Sequence, residues 1–376
     1  MSFLPGLELS RRFHREVVAP ALAAGFPRLR YAAARMDTGS ELFGFDTPRS
    51  RDHDWGPRVQ IFLDTADRAM AVRVLECVDR ALPPTFLGCP TRFAPDAYRS
   101  LGVPAPDGAR HGVTVAELGT WCRQRLGFDP RHGVGRLDWL ATPTQRLAEF
   151  TGGDVFHDDL PRPAATAGGV LRMVRDRLAW YPDDVWRYVL AAQWSRIGGE
   201  EPLVGRCGEV GDEIGGAVVT ARLVRDLMRL ALLLHRRYPP YGKWLGTAFG
   251  RLPQVAPLRA ALAAAATATG WRQRQHQLCQ AYESLAAQTN RTGLAEPAEP
   301  SVRPFFDRPF LVLDAGRFAA VLRGAITDPA IGRLPPVGAV DQVFDHTGLL
   351  TDVVRTRAAV AAALAISPTP AVPNER

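Results

Sequence analysis

The sequence predicts an α/β fold followed by an all-α one: a small mixed-sheet core in residues 1–150, then a large helical domain in residues 151–366. Three observations predict it. Strand-like runs at Val59–Leu63 and Val113–Leu118 alternate with helical text in the first half. From Gly168 onward apolar residues recur at helical spacing, with few strand signals. Between the first helical stretch and the first strand runs a connection rich in Gly, Ser and Asp, the kind of segment that carries function on a sheet scaffold.

Residues 8–36 read as helix, because Phe13, Val17, Val18, Ala21 and Leu22 fall near helical spacing, with Pro20 as a kink or break. Val59-Gln-Ile-Phe-Leu63 is short and mostly apolar, with β-branched Val59 and Ile61, which suits a buried strand. Asp64 opens a helix over about residues 66–82 in capping style, and Pro83-Pro84 closes it. Residues 84–111 are dense in turn formers and resist assignment. Val113–Leu118 alternates as a strand and leads into a helix ending near Leu126.

The helical half starts with segments at 168–180 and from Pro182 to about Ile197. A long apolar helix follows over Asp212–Arg237, with others at 256–289 and 356–366. Pro297, Pro300 and Pro304 mark an extended linker near 293–308, and Phe310–Leu313 reads as a short strand or extended segment. The Pro-rich tail, 367–376, has the composition of a disordered segment.

Composition narrows the function classes. Apolar residues make up 46% of the 376, enough for large cores, yet no uncharged run of membrane-spanning length occurs. The start of the chain lacks the basic-then-apolar pattern of a secretory signal. The five cysteines, Cys77, Cys89, Cys122, Cys207 and Cys279, are odd in number and scattered, which excludes a clustered metal-ligand spacing and suits a cytoplasmic protein. A net charge of +7 without a long basic run favours small anionic ligands over a nucleic-acid partner. Lys243 is the only lysine among 46 basic residues, so arginine is the default cation here. It stands between Tyr238-Pro-Pro-Tyr241 and Trp244, where a compact ammonium could hold a phosphate or a substrate; chance survival is the alternative.

The most informative stretch is Gly39-Ser40, eleven residues, then Asp52-His53-Asp54. A Gly-Ser turn exposes backbone N–H groups and a hydroxyl, which suit phosphate oxygens. An Asp-x-Asp pair at the start of a strand would put both carboxylates on one face, where a hard divalent cation such as Mg2+ relieves their repulsion. His53 would then face the opposite side, toward packing.

This run resembles the signature of the polymerase-beta-like nucleotidyltransferase superfamily, and Gly44 matches a second glycine often found four residues past the Ser. Asp52-His-Asp-Trp-Gly56, Tyr181-Pro-Asp-Asp-Val-Trp186 and Pro240-Tyr-Gly-Lys-Trp244 together resemble a bacterial domain-of-unknown-function family, DUF4037, placed in that superfamily. The resemblance implies a nucleotidyltransferase-like catalytic core and a helical domain that closes over the nucleotide. It implies Mg2+ and a nucleoside triphosphate, ATP first. A nucleoside monophosphate would pass to a hydroxyl of a small-molecule or protein acceptor, releasing pyrophosphate. Asp52 and Asp54 would hold the metal, and Gly39 and Ser40 the phosphates.

A third carboxylate normally completes such a site. Glu117, on the second predicted strand, is the first candidate; Glu41 and Asp46 lie in the signature loop, and Asp64 is better read as a helix cap. Arg222, Arg225, Asp226 and Arg229 interrupt the apolar 212–237 helix. They form either a structural Arg–Asp ladder or a basic wall in which Arg222 and Arg229 grip phosphates. The aromatic clusters at 180–188 and 238–244 are packing anchors or stacking platforms for a base. The competing function is a nucleotide-binding regulatory or interaction protein without turnover, favoured by the lack of an unambiguous third carboxylate.

Overall fold

The computed structural model describes residues 3–52, 55–93, 110–161 and 169–366. His53, Asp54 and the Pro-rich tail lie outside the described residues. The chain divides into two compact units, Met1–Val134 with Arg146–Ala179, and Gly135–Gln145 with Trp180–Arg376. The first is α/β and the second predominantly helical.

The first unit is built on a four-stranded mixed sheet. Its strands are β1 (Tyr31–Arg35), β2 (Val59–Leu63), β3 (Val113–Glu117) and β4 (Asp154–Asp158), in the order β3-β2-β1-β4. β1 is antiparallel to both neighbours, pairing Ala33 with Ile61 on one side and with His157 on the other, and β2 runs parallel to β3 with Ile61 beside Val115. Both faces are covered, which is why β1 and β2 are buried throughout instead of alternating. One face packs Ala33, Ile61 and Leu63 against Leu9, Phe13 and Leu22 and against Val74 and Val78. On the other, Phe62 meets Trp121 edge-on at 5.0 Å, and Trp121 meets Phe150 at 5.5 Å.

Three expectations are corrected here. Residues 8–36 are not one helix: helical backbone spans Gly6–Phe13, His14–Val18 and Ala19–Gly25, and Tyr31–Arg35 is the central strand. Three consecutive alanines favour helix locally, but a strand buried on both faces needs small apolar residues more than alternation, and burial decides. Pro20 does not break the helix. The preceding turn is π-helical, with the Ala19 N–H donating to the His14 carbonyl, and this widened turn precedes the proline ring. Finally, β4 and the Val170–Arg177 helix, expected in the helical half, belong to the first unit, because β4 completes its sheet.

The second unit packs the Asp183–Glu200, Glu213–Leu234 and Trp271–Arg291 helices against one another, with Ala256–Thr267 and Gly316–Gly324 on their flanks. Trp194 is fully buried, stacks toward Phe318 at 5.1 Å and donates from Nε1 to Thr289. The segment expected as a linker near 293–308 folds back within this unit. Arg303–Pro304 pairs with Leu311–Val312, and the Asn290 side chain both donates to and accepts from the Ala298 backbone. No helix among the described residues is long and apolar enough to cross a membrane. All five cysteines are free thiols.

Candidate functional site

β1 leaves the sheet and β2 re-enters it at the same end, since the two are antiparallel and adjacent. The connection between them carries Gly39, Ser40 and Asp52, and its geometry is set by a buried charge. Arg35, the last residue of β1, is 1% exposed and pairs with Glu41, 2% exposed, at 2.5 Å. Its Nε also donates to Glu41 Oε1 at 3.0 Å, its Nη1 to the Met36 carbonyl at 2.5 Å, and its Nη2 to the Thr38 carbonyl. Burial pulls the Arg35 guanidinium below its ordinary pKa, and Glu41 opposes that. One cation thus ties down the backbone on both sides of Asp37 and the side chain two residues past Gly39.

Gly39 sits directly over this ion pair. Its φ is +135°, a conformation that only glycine adopts readily, and a Cβ there would lie 2.4 Å from Glu41 Oε2 and 2.6 Å from Arg35 Nη2. Ser40 then opens a single 3-10 turn, Ser40–Phe43, closed by Gly44 in the left-handed region. The Ser40 hydroxyl makes no hydrogen bond among the described residues. Further along, Asp46 Oδ2 accepts from the Gly6 N–H at 2.7 Å and from Trp55 Nε1 at 3.1 Å, which fastens the far half of the connection to the first helix.

Asp52 ends a second 3-10 turn, Pro48–Asp52, and β2 starts only at Val59. Asp52 therefore does not stand at a strand start, and the period-two argument for its carboxylate does not hold, because the backbone there is helical. Asp54 falls outside the described residues.

A charged cluster that the sequence reading missed flanks Gly39. Asp37, at φ +80°, is buried and pairs with Arg125 at 2.8 Å and with Arg146 at 3.7 Å. Arg146 also holds Glu149 at 3.0 Å, and the Glu149 carbonyl accepts from the Asp37 N–H at 3.3 Å. These residues come from three separate segments and have no local pattern. The only available cue was Arg35 itself, a charge closing an apolar run.

Glu117 is at the other end of the sheet. It closes β3 beside Leu63, the last residue of β2, whereas the connection from Gly39 enters at Val59. Its carboxylate caps the Leu118–Leu126 helix. Oε2 accepts from the Thr120 amide at 2.6 Å and hydroxyl at 2.7 Å; Oε1 accepts from Gly119 N–H at 2.9 Å, Arg131 at 3.0 Å and Thr65 at 3.1 Å. Burial pushes this carboxyl up, but the Thr120 hydroxyl, the Gly119 and Thr120 amides and Arg131 together hold it down at about 2. Its lone pairs are committed to these structural contacts, at the end of the sheet away from Gly39. Among the described residues no group of three His, Cys, Asp or Glu side chains could hold a metal ion.

The candidates from the helical half lie in the second unit. Arg222 pairs with Glu200, and Arg225 with Asp345 at 3.0 Å. Asp226, 1% exposed, pairs with Arg196 at 2.7 Å. Arg229 donates to the Asp341 carbonyl at 3.0 Å, and burial lowers its pKa. The charges of this helix thus reach across to neighbouring segments as structural pairs, the ladder reading in a wider form. Lys243 is exposed, with its ammonium 5.0 Å from the Trp244 ring centre. Trp180, Tyr181, Trp186 and Tyr238 pack on one another, with Tyr181 perpendicular to Tyr238 at 5.1 Å, as a core cluster.

No curated protein and no solved structure matches the chain significantly. Residues 139–245, which include Lys243, Arg222, Arg229 and the aromatic clusters but not Gly39–Asp54, match the family described as a domain of unknown function, DUF4037.

Proposed function

We propose that the α/β unit is a nucleotidyltransferase-like core and that the β1–β2 connection is its cradle for a nucleoside triphosphate and Mg2+. The observation that carries this reading is Gly39, held at φ +135° against a fully buried Arg35–Glu41 pair. A protein seldom buries an ion pair merely to shape a surface turn, since desolvation offsets most of the attraction. Here the pair fixes a turn whose backbone can approach a phosphate closely and whose Ser40 hydroxyl is uncommitted among the described residues. Asp52 and Asp54 belong to the same connection and offer the hard oxygen donors that Mg2+ takes. When bound, the ion would neutralise charge on the phosphate oxygens of the transferred group.

In this reading the chain's residues bind and orient. Gly39 lets the backbone come close, Ser40 bonds a phosphate oxygen, and Asp52 and Asp54 hold the metal. An acceptor hydroxyl would attack the α-phosphorus as the bond from it to the bridging oxygen breaks, with the hydroxyl proton passing to water and pyrophosphate leaving. No step is assigned to Glu117, Arg222, Arg229 or Lys243 in this reading.

One observation favours a second reading, nucleotide binding without turnover. Beside the proposed metal ligands, five carboxylates near the cradle are engaged: Asp37 by Arg125, Glu41 by Arg35, Asp46 by Gly6 and Trp55, Glu149 by Arg146, and Asp154 by Arg11 at 2.8 Å. None is free to take the acceptor's proton. Pyrophosphate release across a panel of hydroxyl acceptors separates the two readings. Release that Asp52→Asn and Asp54→Asn abolish supports transfer, whereas nucleotide binding with no release on any acceptor supports the regulator.

A further inference from the structure

We infer that the helical unit carries a second, independent binding site, for a small organic phosphate. A cleft of about 470 Å3 lies where the Glu213–Leu234 and Trp271–Arg291 helices end against the 252–258 turn. That volume is within the range of small-molecule sites. Its charged lining is one-signed: Arg236 and Arg291 line it, and no carboxylate does. Three other arginines of this unit, Arg196, Arg222 and Arg274, are neutralised by Asp226, Glu200 and Glu213. Neither Arg236 nor Arg291 forms an ion pair among the described residues.

The backbone gives the independent argument. Arg236 has φ +53° and occupies the left-handed position that closes the helix, its N–H donating to the Leu233 carbonyl while Arg237 donates to that of Leu232. Glycine is the residue for that position, because it alone bears the conformation without steric cost. Arginine there is strained, and its guanidinium lies 4.7 Å from the Trp186 ring centre at the wall of the cleft. Gln254, across the cleft, is a second non-glycine residue at φ +53°. Ala365 makes the same left-handed closure at the end of the Val353–Ala363 helix, so the conformation alone does not mark a site; what sets Arg236 and Gln254 apart is that both line this cleft. An arginine at a helix C-terminus does complement the dipole, but that explains Arg291 and not the choice of arginine over glycine at 236.

The ligand class follows from these groups. The His235 Nδ1 donates to the Ala231 carbonyl at 2.9 Å, so the neutral ring presents Nε2 as an acceptor and the anion falls to the two guanidinium groups. Two guanidinium groups without local counter-charge match a dianion better than a monoanion. Leu252, Val255 and Leu258 supply an apolar wall for an organic body. A phosphate monoester on a flat apolar group satisfies all of this.

The test is calorimetric titration of the full chain with phenyl phosphate, beside benzoate and benzyl alcohol. We expect one saturable site for phenyl phosphate, weaker binding of benzoate, and none of benzyl alcohol. Arg236→Gly removes the guanidinium while restoring the residue the backbone prefers. It should weaken phenyl phosphate at least about tenfold, as loss of a charge-assisted hydrogen bond does, without lowering the unfolding temperature. Asp52→Asn should leave this binding unchanged, so failure here is distinct from failure of the nucleotide cradle. Undiminished binding by Arg236→Gly, equal binding of benzyl alcohol, or no binding of phenyl phosphate overturns the inference.

Discussion

Replacing Gly39 by alanine tests the cradle's architecture through a single methyl group. The added Cβ meets two penalties. The backbone at φ +135° is hostile to any side chain, at about 1–3 kcal/mol. The methyl group would also stand 2.4 Å from Glu41 Oε2 and 2.6 Å from Arg35 Nη2, so the buried pair must part or the turn must move; overpacking of this kind costs about 1–3 kcal/mol. Together the expected loss is about 3 kcal/mol for the α/β unit, or roughly 6–12 °C in its unfolding temperature at about 2–4 °C per kcal/mol. Gly88→Ala is the matched control. Gly88 has φ +77° but nothing within 4 Å of the added Cβ, so it suffers the backbone penalty alone, about 1–2 kcal/mol. Chemical denaturation followed by circular dichroism measures both. If Gly39→Ala costs no more than Gly88→Ala, the buried pair does not enforce the turn, and the reasoning from Arg35 to the cradle fails.

Other outcomes follow from the same contacts. Removing one partner of the buried Arg35–Glu41 pair, as in Glu41→Ala, should cost about 3–5 kcal/mol, because a buried guanidinium is left uncompensated; Asp226→Ala should cost somewhat less in the helical unit, since Arg196 is partly exposed. Acid stability should fall in two stages. Burial first, and His157 second, hold His14 at about 4 rather than 6.5, so the unfolded chain takes up that proton first and stability drops as pH falls from 6.5 to 4. The Glu117 carboxyl is held at about 2 rather than 4.5, so its contribution is complete above 4.5 and is lost as pH falls toward 2; Glu117→Gln should flatten that lower stage in a pH-resolved unfolding series. Lys243→Ala should cost less than about 1 kcal/mol by thermal unfolding, since it removes only an exposed cation over Trp244.

The elements legible in the sequence were those whose signals are local. Val59–Leu63 announced itself by β-branched residues, Asp64 by capping chemistry, and the Asp183–Glu200 and Glu213–Leu234 helices by periodicity and length. The central strand was not legible, because Tyr-Ala-Ala-Ala-Arg carries helix propensity and only burial on both faces makes it a strand. β4 was hidden for the same kind of reason: Asp154-Val-Phe-His-Asp158 is polar at both ends, and pairing with β1 is what defines it. At the site, the glycine's conformational role was readable from Gly39-Ser40, but the cation beneath it was not, since Arg35 becomes meaningful only when Glu41 folds back over it. Glu117 misled because a carboxylate at the end of a strand looks the same whether it binds a metal or caps the next helix; the helix that follows at Leu118 decided it.

The central claim is that the β1–β2 connection holds a nucleoside triphosphate with Mg2+. Equilibrium titration of the full chain with ATP, with and without Mg2+, tests it most directly. Binding should be saturable, require Mg2+, be lost in Asp52→Asn and Asp54→Asn, and be unaffected by Glu117→Gln and Arg236→Gly. Binding that survives both aspartate substitutions, or no binding of ATP or any other nucleoside triphosphate with Mg2+ present, contradicts it.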